Sequence, residues 1–229
     1  MTAGTNAGMR SGANAPTRHP SEALILDFSR GALEAGRALV LRAHLAACAE
    51  CRATLGLADA VGGALMEALE PAELAPDALQ RTLARLDLQP PPPPTAAAPR
   101  PPDDWIRVPP EVLFAAERQM RQAAPGVWAA FVTGDRRHSG PRSYLLGVGA
   151  GVPIPLHSHL GSELVCVVKG AYEDRGQVYR PGDFVENDES LEHELRVTAD
   201  GECVCLIAAD DFLVPRSPAA RLLKPMMGI

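Results

Sequence analysis

Long apolar runs, surplus positive charge and an even complement of cysteines are all missing from this 229-residue chain. No stretch approaches the ~18 consecutive apolar residues of a membrane span, and the small, polar residues 1–18 hold no apolar core of a signal peptide. These absences point to a cytoplasmic protein with no membrane partner. Lys and Arg number 22 against 28 Asp and Glu, a net charge of −6. Gripping duplex DNA by its phosphates normally takes an excess of basic side chains on one face, so no direct nucleic-acid contact is expected. Neither half departs from this balance: residues 1–98 carry 8 basic and 10 acidic side chains, and residues 99–229 carry 14 and 18. Five cysteines, an odd number without an export signal, argue against a disulfide framework and make metal or redox chemistry the first thing to test.

Proline, by contrast, is abundant and unevenly placed. Residues 90–102 read PPPPPTAAAPRPP, eight prolines in thirteen positions. Such a run can neither continue a helix nor donate to a sheet, so it forms an extended, semi-rigid spacer. The chain therefore divides into a disordered N-terminus (1–18), a helical domain (19–88), a proline-rich linker (89–104), a second domain (105–215) and a C-terminal tail (216–229). No internal repeat is visible.

Before the spacer the period is helical. Ser21 can cap a helix holding Leu24, Ile25 and Phe28, and Leu41, His44, Leu45 and Cys48 recur at i, i+3, i+4, i+7. Leu55, Ala58, Gly62, Leu65, Met66 and Leu69 continue the pattern in a third helix, and Pro76-Asp77 opens a fourth with Leu79, Leu83 and Leu86 on one stripe. Four short helices in ~70 residues make a small core, near the size where a metal or a partner helps. After the spacer, residues 111–122 read as an amphipathic lead-in helix. The period then becomes two: Tyr144, Leu146 and Val148 alternate with Leu145, Gly147 and Gly149, and short runs follow at 163–168, 177–180, 193–197 and 202–208. Gly170, Pro181-Gly182-Asp183 and Asp200-Gly201 supply turn chemistry between them, the pattern of an antiparallel barrel or jelly roll.

Two groups of residues carry ligand chemistry. His44, Cys48 and Cys51 form H-x3-C-x2-C, in which His44 and Cys48 share a helix face and Cys51 swings in where the helix turns at Ala49-Glu50. Thiolates and imidazole suit zinc, and a structural zinc takes four ligands in a closed tetrahedron. His19, the only other histidine in this half, is the candidate fourth ligand. The second group is His157, His159, Glu163 and His193. Residues at i and i+2 of a strand share a face, so His157 and His159 point the same way, Glu163 returns after a short turn, and His193 closes the set from a later strand. Three imidazoles and a carboxylate suit zinc, manganese, iron, nickel or copper; a second divalent ion, zinc, is the expectation. The fold class is thus α+β in two domains, a small zinc-bound helical domain followed by an antiparallel β-barrel.

Both groups resemble known families. His19 followed after 25 residues by H-x3-C-x2-C is similar to the zinc-binding anti-sigma domain of bacterial anti-sigma factors, whose helices wrap an extracytoplasmic-function sigma factor and cover the surfaces it uses on RNA polymerase. Gly151-x5-His157-x-His159-x3-Glu163-x6-Gly170 matches the first cupin motif without a gap. The second cupin motif departs: Gly182 follows Pro181 directly, His193 comes eleven after Gly182, and position 197 is Val rather than Asn. Together the halves resemble the ChrR-type anti-sigma factors, from His19 to Phe212. The resemblance implies inhibition of a sigma factor by the N-terminal domain and release through the cupin-like domain on an oxidative signal such as singlet oxygen, with no catalytic turnover. The rival reading is a mononuclear metal cupin enzyme, a dioxygenase or isomerase with an accessory zinc domain. Cys203 and Cys205 share a strand face, with Cys166 on another strand; if they face a pocket they could ligate metal or be oxidised, and otherwise they pack as small apolar groups. His138 reads as a turn residue, and Trp105 and Trp128 as core or lid.

Overall fold

A computed structural model describes residues 15–88, 99–135 and 137–216. Most of the expected N-terminal segment, the proline-rich centre of the linker and all but the first residue of the expected tail lie outside the described residues. Ser21 starts α1 (Glu22–Ser29) by accepting the Leu24 N–H, and Glu34 starts α2 (Ala35–Ala47) by accepting the N–H groups of Gly36 and Arg37. Cys48 ends α2 and begins α3 (Ala49–Glu67), its backbone extended at φ −106° and ψ 112°. The bend therefore falls at Cys48 itself, just before the Ala49-Glu50 step expected from the sequence. Helix α4 spans Ala78–Leu88, and α5 (Pro110–Gln119) opens with proline at its first position, where a missing N–H costs nothing. No helix among the described residues is long and apolar enough to cross a membrane.

Eleven strands among the described residues form two antiparallel sheets. One runs β1 (Arg121–Ala124), β2 (Val127–Thr133), β3 (Arg142–Val148), β10 (Cys203–Ala209), β5 (Glu163–Lys169), β8 (Phe184–Asn187). The other runs β11 (Val214–Pro215), β4 (Pro153–Ser158), β9 (His193–Val197), β6 (Tyr172–Asp174), β7 (Gln177–Tyr179). The α+β class with an antiparallel barrel is what the sequence period predicted. Short strands such as β1, β6 and β8, and the proline-bearing β4, were beyond a period-two signal because each offers only a few residues.

The apolar groups divide by strand parity. On β5 and β10, Leu164, Cys166, Val168, Val204, Leu206 and Ala208 face the helices, where they pack with Leu24, Ile25, Val40, Leu41 and Leu45. Their neighbours Val165, Val167, Cys203, Cys205 and Ile207 face the barrel interior with Tyr144, Ile154, Tyr172 and Val197. Burial on both faces is why these strands read as nearly continuous apolar runs. The expected four-helix core does not form. Helices α1 and α2 complete their core against the six-stranded sheet, while Leu57, Val61, Leu65 and Met66 of α3 and Leu79, Leu83 and Leu86 of α4 stay in water. Arg37 of α2 bridges the two parts, with Nη2 2.7 Å from Asp210 and also bonded to Ser162. Trp128 lies over Gly147, where a Cβ would come within 1.9 Å of the indole.

Candidate metal centres and an uncovered apolar stripe

The helix junction gathers the first ligand group. Cys48 at the α2–α3 bend accepts the Cys51 N–H through its sulfur at 3.4 Å. His19 Nδ1 lies 3.4 Å from each of the two sulfurs, and the rings of His19 and His44 meet edge-on at 5.7 Å. All four donor atoms fall within 4.8 Å of one another. Burial and the neighbouring Cys48 push the Cys51 thiol up to about 12, so without a cation it stays protonated. Burial lowers His44, which keeps its ring neutral. Its Nδ1–H donates to the Gly182 carbonyl at 2.7 Å, which leaves Nε2 as a buried lone pair with no hydrogen-bond partner. A buried acceptor with no donor costs several kilocalories per mole unless a cation answers it. The arrangement fits a soft divalent metal, with the carbonyl as the outer partner that sets the tautomer.

The barrel gathers the second group. His157 and His159 leave the end of β4, and His193 opens β9 opposite His157. The β4–β9 register slips between Ile154 and His157, beside Pro155. His157 Nδ1–H donates to the Pro155 carbonyl at 2.8 Å, and His193 Nδ1 lies 2.9 Å from Asp174 Oδ2 across the β6–β9 pair. Both rings thus turn Nε2 inward, and His193 Nε2 lies 3.2 Å from His159 Nε2. Burial, reinforced by the neighbouring imidazoles, pushes His157 and His159 down to about 4, so both are neutral ligands near pH 7. The three ring nitrogens lie within 4.8 Å of one another. Glu163 stands beside this trio rather than within it: Oε2 is 3.6 Å from His159 Nε2 and accepts the Asn187 side-chain N–H at 3.0 Å. Burial raises its carboxyl to about 7. Three buried ring nitrogens converging beside a carboxylate again fit a divalent cation.

An apolar cavity of about 60 Å³ adjoins this group, lined by Tyr144, Tyr172, Val165, Leu195, Cys203 and Cys205 among others. The sulfurs of Cys203 and Cys205 are 3.8 Å apart, and the pair, together with burial, raises the Cys205 thiol well above its ordinary value. Cys166 faces the other way, into the core shared with the helices. His138 is an exposed turn residue paired with Asp135 at 2.8 Å. Gly182, Asp174 and Asn187, which hold the ligands in place, went unrecognised in the sequence. Their partners are 138, 19 and 24 residues away, and no local spacing marks such contacts.

A third feature lies away from both groups. Leu57, Val61 and Leu65 of α3 and Leu79, Leu83 and Leu86 of α4 recur at helical spacing, and each is more than half exposed. Exposed apolar stripes of this kind mark interaction surfaces.

Residues 110–212 match the family described as the ChrR Cupin-like domain. Over 217 residues the chain is 33% identical to the anti-sigma-E factor ChrR of Cereibacter sphaeroides, which spans 92% of this chain and 98% of that protein. Among solved structures, a chain from the crystal structure of Rhodobacter sphaeroides SigE in complex with the anti-sigma ChrR aligns with a TM-score of 0.68 at 31% identity, over 84% of this chain and 98% of its own.

Proposed function

Because the chain belongs to the family of the anti-sigma factor ChrR, we propose that it binds an extracytoplasmic-function sigma factor, holds it away from RNA polymerase, and releases it on an oxidative signal. The observation that carries this reading is the uncovered stripe on α3 and α4. An amphipathic helix whose apolar side finds no partner within the described chain is built to lay that side into a groove of another protein. The relative solved with SigE supports a sigma factor as the occupant.

His19, His44, Cys48 and Cys51 would hold zinc, whose closed coordination supplies folding energy rather than reactivity. The chain's own residues position it: α2 and α3 present the sulfurs and His44 at their junction, and residues 17–21 bring His19 across. His157, His159 and His193, with Glu163 beside them, would hold a second divalent ion, zinc, inside the barrel. There the Pro155 carbonyl and the Asp174 carboxylate orient two of the rings, and Asn187 orients Glu163. The small apolar cavity offers little beyond this group to bind or orient a polar substrate, which supports a sensing role without turnover and speaks against a dioxygenase or isomerase. The cytoplasm is the compartment this role requires.

The test is co-expression of the full-length chain with its co-encoded sigma factor and a promoter reporter. The reporter is expected to fall silent and to recover on exposure to an oxidant such as singlet oxygen. A reporter that stays fully active beside well-expressed protein sinks the proposal. Steady turnover of a small substrate by the metal-loaded chain would instead establish the enzymatic alternative.

A further inference from the structure

We infer that the segment Gly182–Asn187, the turn leading into β8 and the strand itself, serves both ligand groups at once and couples their metal affinities. This rests on reading both groups as metal centres. The coupling follows from the pleat, since alternate residues of a strand point to opposite faces.

On the helix side, the Gly182 carbonyl accepts the His44 Nδ1–H at 2.7 Å. Gly182 sits at φ +93°, and a Cβ there would stand 2.7 Å from Pro16 Cγ and 3.2 Å from Ala47 Cβ. Only glycine lets this carbonyl approach, which gives a physical reason for the Pro181-Gly182 step that departs from the usual second cupin motif. The Asp183 carboxylate accepts the N–H groups of Thr17 at 2.7 Å and Arg18 at 3.1 Å. The Phe184 N–H donates to the Arg18 carbonyl at 3.1 Å, and Glu186 accepts the Ser21 N–H at 2.5 Å. Residues 17–21, with His19 in their middle, therefore run along the outer edge of β8, the last strand of its sheet. The Phe184 ring meets His44 edge-on at 5.5 Å.

On the barrel side, Asn187 lines the cavity and donates to Glu163 at 3.0 Å. Four paired positions, from Glu163↔Asn187 to Cys166↔Phe184, tie β8 to β5. Phe184 and Asn187 are three residues apart, about 10 Å along a strand. A four-residue edge strand has one ladder partner and moves more readily than an interior one. A shift of Glu163 is passed through Asn187 to β8, and from β8 to the carbonyl and the backbone bonds that hold His44 and His19. By linkage the effect runs both ways, each metal tightening the other site by one common factor.

The experiment uses the full-length chain carrying Co²⁺, whose thiolate-to-cobalt absorption, assigned by its loss in Cys48→Ser, reports the Cys48/Cys51 centre. Chelator-driven release is timed. Asn187→Ala touches none of the four helix-side ligands, yet it is expected to speed cobalt release from the thiolate centre about tenfold, the size of an outer-shell effect on metal affinity. Gly182→Ala is expected to speed it at least as much, and Ser190→Ala, exposed and bonded to Asp188, to leave it unchanged. An unchanged rate in Asn187→Ala overturns the coupling. Should that variant fail to fold, the wild-type chain decides: Mn²⁺, a hard ion that prefers the nitrogen and oxygen donors of the barrel, is expected to slow thiolate-centre release, and equal rates with and without it overturn the inference. Absence of any thiolate–cobalt band overturns the metal reading itself, an outcome distinct from a band whose decay ignores Asn187.

Discussion

The helix-side group at His19, His44, Cys48 and Cys51 and the barrel group at His157, His159 and His193 differ in what holds each donor still. In the barrel, all three imidazoles sit on strands or at their ends, are about 95% buried, and include two fixed by a carbonyl or carboxylate of the same sheet. On the helix side, three donors lie at a helix junction, but His19 belongs to an extended segment, is exposed, and depends on β8 for its place. A barrel can preorganise a site from its own ladder. Three helices that bury only part of their apolar surface cannot, and they lean on a neighbouring sheet, with a His/Cys group at their junction able to hold a metal. The difference teaches that the helix-side centre is the one whose loss should unfold its surroundings.

That contrast is sharpest for the ligands themselves. Cys48→Ala or His44→Ala is expected to remove one zinc per chain, to lower helicity at the α2–α3 junction and to abolish sigma-factor binding. Structural zinc in small domains contributes about 10–16 kcal/mol. Metal analysis with circular dichroism and a pull-down checks this, and unchanged helicity and binding would break the comparison. His157→Ala, by contrast, should cost a metal and leave the barrel folded.

Next in size is Leu206→Ala. Leu206 is fully buried between the helices and the six-stranded sheet, and the cavity left behind should cost about 2–5 kcal/mol in urea unfolding. Gly147→Ala follows: its methyl group would enter the Trp128 indole, and the overpacking should cost about 1–3 kcal/mol.

The Arg37–Asp210 pair gives a smaller, pH-dependent effect. Burial alone would raise the Asp210 carboxyl, but the Ser162 N–H and Arg37 hold it below the ordinary 3.8. A depressed carboxyl contributes stability that is complete above its unfolded value and is lost as pH falls through the folded one. The two side chains are 24% and 41% exposed, so solvent screening limits the pair to about 0.2–1 kcal/mol. Arg37→Ala should lower stability by that amount at pH 7 and by less near pH 3. The smallest effect on stability is expected from Leu83→Asp, within about 0.5 kcal/mol, because Leu83 is 52% exposed. The same change should weaken sigma-factor binding at least tenfold, which separates a docking surface from a core.

Much of this was legible in the residues. The i, i+3, i+4 recurrence around His44 and the Ser21 cap marked α1 and α2, and period two marked β3, β5, β9 and β10. The H-x3-C-x2-C and H-x-H spacings nominated two ligand groups. Helical period also marked α3 and α4, but period says only that a helix has an apolar side, not that the chain covers it. Leu65 and Leu83 look the same in sequence as Leu41, yet Leu41 is fully buried and the other two are in water.

Local spacing determined which residue types could share a face, because 3.6 residues per turn and two per pleat are properties of the backbone alone. Spacing could not decide who stands behind each ligand. That Gly182 orients His44, Asp174 orients His193 and Asn187 holds Glu163 depends on which strands become neighbours. Neighbourhood is settled only when the two sheets close and the helices find the outer face of one of them.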